Sequence, residues 1–291
     1  MKYTFAQFKT QFPDDDACLD AIMARKNLKS CPGCGVVGAK FHRITGRRGY
    51  ACQDCGHHVF PCAGTVFEHS STSLTLWFHA MYLFTATRNG VSGKELQRQL
   101  GVTYKCAWRI GHQLRELMAA RDKANNGGQL SGHVEIDETL VGGKIKRRKG
   151  IKSNKFTVLG MVERQGKIKN KVVSGNYPDE IMPVILEEIA PGTVISTDRW
   201  KGYRTLKKRG FKHGTVNHYV MQWKNGIHHT QTIEGFWAHL KRGISSTHVS
   251  VSGKHLQKYV DEFTFRYNNR QEPADMFQRM LNQIVQRNSE R

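Results

Sequence analysis

The sequence predicts an α/β protein in three parts: a small cysteine module, a helical module, and a larger mixed-sheet domain covered by helices. Three observations predict it. Two Cys-x-x-Cys pairs stand 17 residues apart near the start, and apolar residues recur at helical spacing from Leu74 to Leu117. From Gly132 onward the pattern changes to short β-type runs punctuated by Gly and Pro. The expected boundaries are residues 1–70, 71–131 and 132–291.

In the first part, Cys31-Pro-Gly-Cys34-Gly and Cys52-Gln-Asp-Cys55-Gly form two knuckles, each offering two thiolates from a tight turn. Four thiolates at this spacing are the donor set of a tetrahedral structural Zn²⁺ site. The strand-like stretches Ala39–Ile44 and Gly49–Ala51 between the knuckles are expected to form a ribbon. So small a module has almost no apolar core, so the metal must supply most of its folding free energy, on the order of 10 kcal/mol. A redox dithiol is the alternative, but it does not need a second knuckle. Cys18, Cys62 and Cys106 are then spare and expected to be buried, and His57 and His58 are expected at the surface.

In the second part, Leu74, Trp77, Phe78, Met81, Tyr82 and Phe84 mark one helix. Ser92 can cap a short helix carrying Leu96 and Leu100, which Gly101 ends. Thr103 can cap the next, with Ala107, Ile110, Leu114 and Leu117 on one face. Helix, Gly-containing turn, helix is the plan of a helix-turn-helix DNA reader, whose second helix would offer Tyr104, Lys105, Arg109 and His112 to the groove. A plain helical hairpin fits the same pattern. The polar, Gly-rich run Arg121–Gly132 reads as a linker.

In the third part, His133–Asp137, Phe156–Val162 and Lys167–Val173 read as three strands, Pro178 opens a helix through Ile189, and Thr193–Thr197 is a fourth strand. Two closing helices are expected over Gly253–Tyr267 and Pro273–Arg287.

Composition narrows the chemistry. The chain has 291 residues, of which 38% are hydrophobic and 24% charged, proportions of a globular rather than a disordered protein. Lys plus Arg number 45 against 24 Asp plus Glu, a formal net charge of +21, and such an excess points to a polyanionic partner. No apolar run is long enough to span a membrane and the start lacks a secretory core, so a cytoplasmic address is expected.

Against this basic background three acidic residues stand out. Asp137 and Asp198 each end a strand, and Glu234 lies in a helical stretch with 35 residues between it and Asp198. Carboxylates at such places can hold two Mg²⁺ (or Mn²⁺) ions about 4 Å apart, which activate an oxygen nucleophile and stabilise a leaving oxygen in phosphoryl transfer on DNA. Lys241, seven residues after Glu234, falls on the same helix face and can hold a phosphate. Glu135 and Glu138 flank Asp137 and are expected to face away from it. Lys144–Lys149 carries five positive charges in six residues and reads as a phosphate clamp. Trp200 and Trp237 are candidates for stacking on an unpaired base, whereas Trp108 and Trp223 read as structural.

The zinc knuckles, Val134–Lys144, Ser196–Tyr203, His229–Ile244 and His255–Arg270, in that order, resemble an ISXO-type insertion-sequence transposase over nearly the whole chain. The resemblance implies a ribonuclease-H-like catalytic domain of the DDE type, with Asp137, Asp198 and Glu234 as its acidic residues and Lys241 as the basic follower. It also implies binding to the terminal inverted repeats, strand cleavage and strand transfer into double-stranded DNA, and at least a homodimer when two ends are paired. One departure is Gln231, which stands where the family commonly has Asn. Two rival readings remain at this level. A zinc-ribbon DNA-binding regulator would nick no DNA, and a metal-dependent nuclease would nick without joining.

Overall fold

The computed structural model describes residues 3–142 and 155–286. The basic run Lys144–Lys149 lies outside the described residues. The chain divides into two compact units, Met1–Ala86 with Gly93–Leu117 and Glu272–Arg291, and Thr87–Ser92 with Met118–Gln271. The last helix thus belongs with the first unit, although the sequence places it at the end of the third part.

The first unit opens with α1 (Phe5–Gln11) and α2 (Asp15–Lys26). Thr4 and Gln7 close a capping box on α1, and Asp14 accepts from the backbone of Ala17 at 2.8 Å to cap α2. Asp15 and Asp16 then lie in the first turn of α2, where the helix dipole favours negative charge. A three-stranded antiparallel ribbon follows: β1 (Phe41–Arg43), β2 (Tyr50–Cys52) and β3 (His58–Val59). The helices α3 (Leu74–Ala86), α4 (Gly93–Leu100) and the late α9 (Met276–Gln286) belong to this unit, as does α5 (Tyr104–Asn126) as far as Leu117. The α5 helix runs through the first half of the stretch read as a linker, to Asn126. Its N-terminus is capped by Thr103, whose hydroxyl accepts from the backbone of Cys106. The core is aromatic: Phe8, Phe12, Phe67, Trp77, Phe78 and Phe277 are buried together.

The second unit is built on a five-stranded sheet of β4 (His133–Val141), β5 (Phe156–Glu163), β6 (Ile168–Val173), β7 (Val194–Thr197) and β8 (Lys212–Thr215). The order is β6-β5-β4-β7-β8, antiparallel across the first three strands and parallel from β4 through β7 to β8. The crossover from β6 to β7 is α6 (Pro178–Glu188), which has proline at its first turn. The sheet then gives way to α7 (Gln231–Gly243) and α8 (Gly253–Asn268). Alternation along the strands makes two cores. Val134, Ile136, Leu159, Met161 and Ile195 pack against Ile181, Met182 and Ile185 of α6. Val141, Val158, Val162 and Ile168 pack against Ile233, Phe236, Trp237 and Leu240 of α7 and Leu256, Val260 and Phe263 of α8. Burial on both faces is why β5 reads as a nearly continuous apolar run. The strand β8 was not read from the sequence.

Candidate metal and carboxylate sites

In the ribbon, Cys31, Cys34, Cys52 and Cys55 bring their four Sγ atoms within 4.8 Å of one another. Cys31 Sγ and Cys55 Sγ are 3.7 Å apart, close to the edge of a tetrahedron whose centre lies about 2.3 Å from each sulfur. The turns contribute backbone donors: the N–H of Gly33 reaches Cys31 Sγ at 3.4 Å. With the backbone N–H of Cys34 foremost, these donors hold the Cys31 thiol down to about 7, while the Cys52 thiol, chiefly by burial, and the Cys55 thiol are pushed up. The donor set and its spacing fit zinc. His57 and His58 are exposed, and the spare Cys18 and Cys62 are buried, while Cys106 is only half-buried.

On α5, Tyr104 and Lys105 are exposed and Arg109 is half-buried under Trp77, but His112 is 5% exposed and cannot reach a groove. Trp108 and Trp223 are both exposed, against the expectation that they are structural.

In the second unit the carboxylates converge. The parallel register pairs Glu135 with Ser196, so Asp137 and Asp198 lie two residues further on along neighbouring strands. Asp137 does not end its strand: β4 continues to Val141, paired with β5 throughout. Opposite Asp137 on β5 is Gly160. A Cβ there would lie 2.5 Å from the Trp237 ring, so the missing side chain lets Trp237 lie on the sheet. From that seat Trp237 Nε1 donates to Asp137 Oδ2 at 3.0 Å. Glu234, one turn earlier on α7, accepts from Thr230 Oγ1 at 2.7 Å and has His218 Nε2 3.3 Å from the same oxygen. Asp198 Oδ1 accepts from the backbone N–H of Trp200 at 2.9 Å.

These groups feel one another. Burial, then the negative charge of Asp198, with Glu234 adding to it, pushes the Asp137 carboxyl up to about 7 against the Trp237 hydrogen bond. Burial likewise pushes Glu138 up to about 7, and Asp137 and Asp198 act in the same direction. Glu138 is on the opposite face, as expected, beside Tyr203; among the described residues its Oε1 and the Tyr203 hydroxyl have no hydrogen-bond partner of normal geometry. Lys241 is exposed two turns beyond Glu234, on a groove lined by Leu140, Val141, Gly142 and Arg242. Gln231 is exposed at the first residue of α7. Trp237 is buried and Trp200 half-buried against Tyr203.

Glu135 corrects the sequence reading. Residues two apart on a strand share a face, so it lies on the same side as Asp137. It is fully buried. Its Oε1 accepts from Arg164 Nε at 2.8 Å and from Thr232 Oγ1 at 3.0 Å, and its Oε2 accepts the backbone N–H groups of Thr232 at 2.8 Å and Ile233 at 3.2 Å. A buried strand carboxylate thus satisfies the open N-terminus of the helix that carries Glu234. Arg164 also reaches the carbonyls of Ile227 at 2.7 Å and His229 at 3.3 Å, tying down the approach to that helix. Strand parity was the available signal for Glu135; Arg164 left none.

Residues 129–268 match the ISXO2-like transposase domain family. An uncharacterized protein in transposable element ISH50 of Halobacterium salinarum is 29% identical over 264 residues, 83% of this chain and 86% of that one. An uncharacterized transposase-like protein of Haemophilus influenzae is 26% identical over 103 residues, 35% of this chain and 82% of its own. A pre-cleavage Mos1 transpososome structure overlays 74% of this chain and 79% of its own at 10% identity with a TM-score of 0.29, too low to argue from. These matches support a transposase of the insertion-sequence type. The chain's domain over residues 129–268 belongs to the ISXO2-like transposase family. No helix among the described residues is long and apolar enough to cross a membrane.

Proposed function

We propose that the chain cuts DNA at the terminal inverted repeats of its element and joins the freed ends to target DNA, with Asp137, Asp198 and Glu234 holding two Mg²⁺ (or Mn²⁺) ions. The observation that carries this reading is geometric: the β4–β7 register sets Asp137 beside Asp198, and Trp237 of the helix that carries Glu234 donates to Asp137, so that burial, then the charges of Asp198 and Glu234, raise the Asp137 carboxyl. Carboxylates from distant parts of the chain are gathered where, among the described residues, no lysine or arginine figures among the chief groups relieving the charge on Asp137, a want that divalent cations meet. The donors are hard oxygens. Among the described residues only the four thiols form a set within 4.8 Å, and Asp137, Asp198 and Glu234 do not. Three antiparallel strands followed through a helix by two parallel ones support a ribonuclease-H-like fold.

When bound, the ions supply Lewis acidity to the attacking and leaving oxygens. The chain's own residues orient the carboxylates beforehand: Trp237 holds Asp137, Thr230 holds Glu234, and the backbone of Trp200 holds Asp198. In the first reaction a water oxygen attacks the phosphodiester at the element end, and the 3′ oxygen leaves as a hydroxyl. In the second, that hydroxyl attacks a target phosphodiester in line, so one P–O bond forms as another breaks and no covalent protein intermediate is needed. Lys241 and the Lys144–Lys149 run would hold neighbouring phosphates. Tyr104, Lys105 and Arg109, with the zinc ribbon, would engage the element ends, two of which require at least a dimer.

The test is incubation of the protein with labelled element-end duplexes and Mg²⁺, resolved on a denaturing gel. Cleavage and joining are expected from the parent, and neither from Asp137→Ala, which should still bind the DNA. Strand cleavage by Asp137→Ala would overturn the site assignment, and cleavage by the parent without joining of a pre-cut end would leave a nuclease.

A further inference from the structure

The connection between Asp198 and Glu234 is unlike the rest of the chain. Over its 35 residues it holds eight Lys or Arg and no Asp or Glu. All eight (Arg199, Lys201, Arg204, Lys207, Lys208, Arg209, Lys212 and Lys224) are exposed. The same segment displays large apolar side chains to solvent: Tyr219 is 99% exposed, Met221 78%, Val220 68%, Ile227 60% and Trp223 53%. A soluble surface seldom shows so many together without a partner.

The backbone beneath them is held in place. Asn217 caps the turn through Tyr219 N at 3.2 Å, and Asn225 exchanges backbone hydrogen bonds with His228 at 2.8 and 2.9 Å. Asn225 Nδ2 reaches the carbonyl of Thr215, and Arg164 reaches that of Ile227. Met221 is held at a φ of +54°, a conformation rare for a side chain of its size. The display is therefore built, and it is joined to the carboxylates: the His218 ring packs 5.0 Å from that of Trp223 and stands 3.3 Å from Glu234 Oε1.

We infer that this segment is a platform for unpaired DNA beside the carboxylates, with Tyr219 and Trp223 stacking on bases and the exposed Lys and Arg of the same segment following the backbone phosphates. It rests on the reading of the chain as a DNA-cutting transposase. Aromatic faces interleaved with cations are what single strands bind, since every base has a π-face and every nucleotide a charge. A contact between two copies of this chain is the competing use of an apolar surface, but eight like charges on the same segment would then face their own copies, and lysine is depleted from protein interfaces.

The test measures binding of the intact, zinc-loaded protein, without added Mg²⁺, to a fluorescent oligothymidine of about 20 nucleotides and to a blunt duplex of equal length. The double variant Tyr219→Ala/Trp223→Ala should lose about ten- to a hundredfold in affinity for the single strand, keep its salt slope, and bind the duplex nearly as the parent does. Lys207→Ser/Lys208→Ser/Arg209→Ser should instead lower the log–log salt slope for the single strand by about 2. Parental single-strand affinity in the aromatic variant overturns the inference, and so does a loss of self-association on sedimentation with DNA affinity intact. Binding without Mg²⁺ is read apart from cleavage, so failure here leaves the carboxylate reading to its own gel assay.

Discussion

Asp137 is set apart from an ordinary strand carboxylate first by its burial and then by the charges of Asp198 and Glu234. An unfolded chain releases its proton near 3.8, whereas the folded one holds it to about 7. Between those values the folded state binds more protons, so this group makes stability fall as pH rises, and the loss is complete above the folded value. Asp137→Asn removes the titration while keeping an oxygen for Trp237. The metal-free variant should therefore be more stable than the parent at about pH 8, by up to about 4 kcal/mol, and no more stable below about pH 4. Urea unfolding at the two pH values measures this. Added Mg²⁺ should stabilise the parent and not the variant. Equal stability at both pH values would mean that neither burial nor the charges of Asp198 and Glu234 raise Asp137 in the folded protein. At this scale the sequence was informative about Asp137, Asp198 and Glu234 because hard carboxylates stood out against a basic chain. It was silent on Arg164, which lies 29 positions from Glu135 and is joined to it only by folding.

The element that decides the site is α7, since it carries both Glu234 and the Trp237 that holds Asp137. Two contacts seat it. Glu135→Ala would free its N-terminus and leave the Arg164 guanidinium without its buried counter-charge, a loss of about 3–5 kcal/mol. Glu135→Gln keeps an acceptor for the backbone of Thr232, so single-turnover cleavage should fall in the order parent, Gln, Ala, with metal-independent DNA binding retained by both variants. Equal cleavage by all three would remove Glu135 from any positioning role. Gly160→Ala tests the other seat: its Cβ would lie 2.5 Å from the Trp237 ring, and such overpacking costs about 1–3 kcal/mol. Adding Trp237→Phe should recover stability in thermal melts without recovering cleavage, because Phe cannot donate to Asp137; a melt unchanged by Gly160→Ala would show that α7 has room to spare. Long apolar strands and capped helices were legible as elements. The strand Lys212–Thr215 was not, because its four residues are Lys, His, Gly and Thr, and its pairing depends on β7 rather than on its own pattern. The stretch after Arg121 read as a linker by composition, yet α5 runs on to Asn126.

For the whole molecule, the zinc-type cluster and the carboxylates fall in different units, each with a core of its own. The order of parts along the chain was readable from cysteine spacing and the change of apolar period. The return of the last helix to the first unit was not. Met276, Met280 and Ile284 announce a buried face, but only folding shows that Phe277 beside them meets Phe8, Phe12 and Phe78. The division makes a prediction about metal removal. The ribbon's strands are two or three residues long and cannot hold together without the thiolate cluster, whereas the five-stranded sheet has apolar cores on both faces and no cysteine ligand. Stripping zinc with a chelator selective over Mg²⁺ should expose four thiols per chain to a thiol reagent, beyond those already reactive in the loaded protein, while Cys18 stays protected by its burial. Specific binding to element ends should then collapse, but Mg²⁺-dependent nicking of supercoiled plasmid should persist, because the carboxylates and the seat of α7 are untouched. If nicking declines in step with zinc content, the ribbon takes part in the chemistry itself, and the separation of DNA recognition from cutting argued for this chain is wrong.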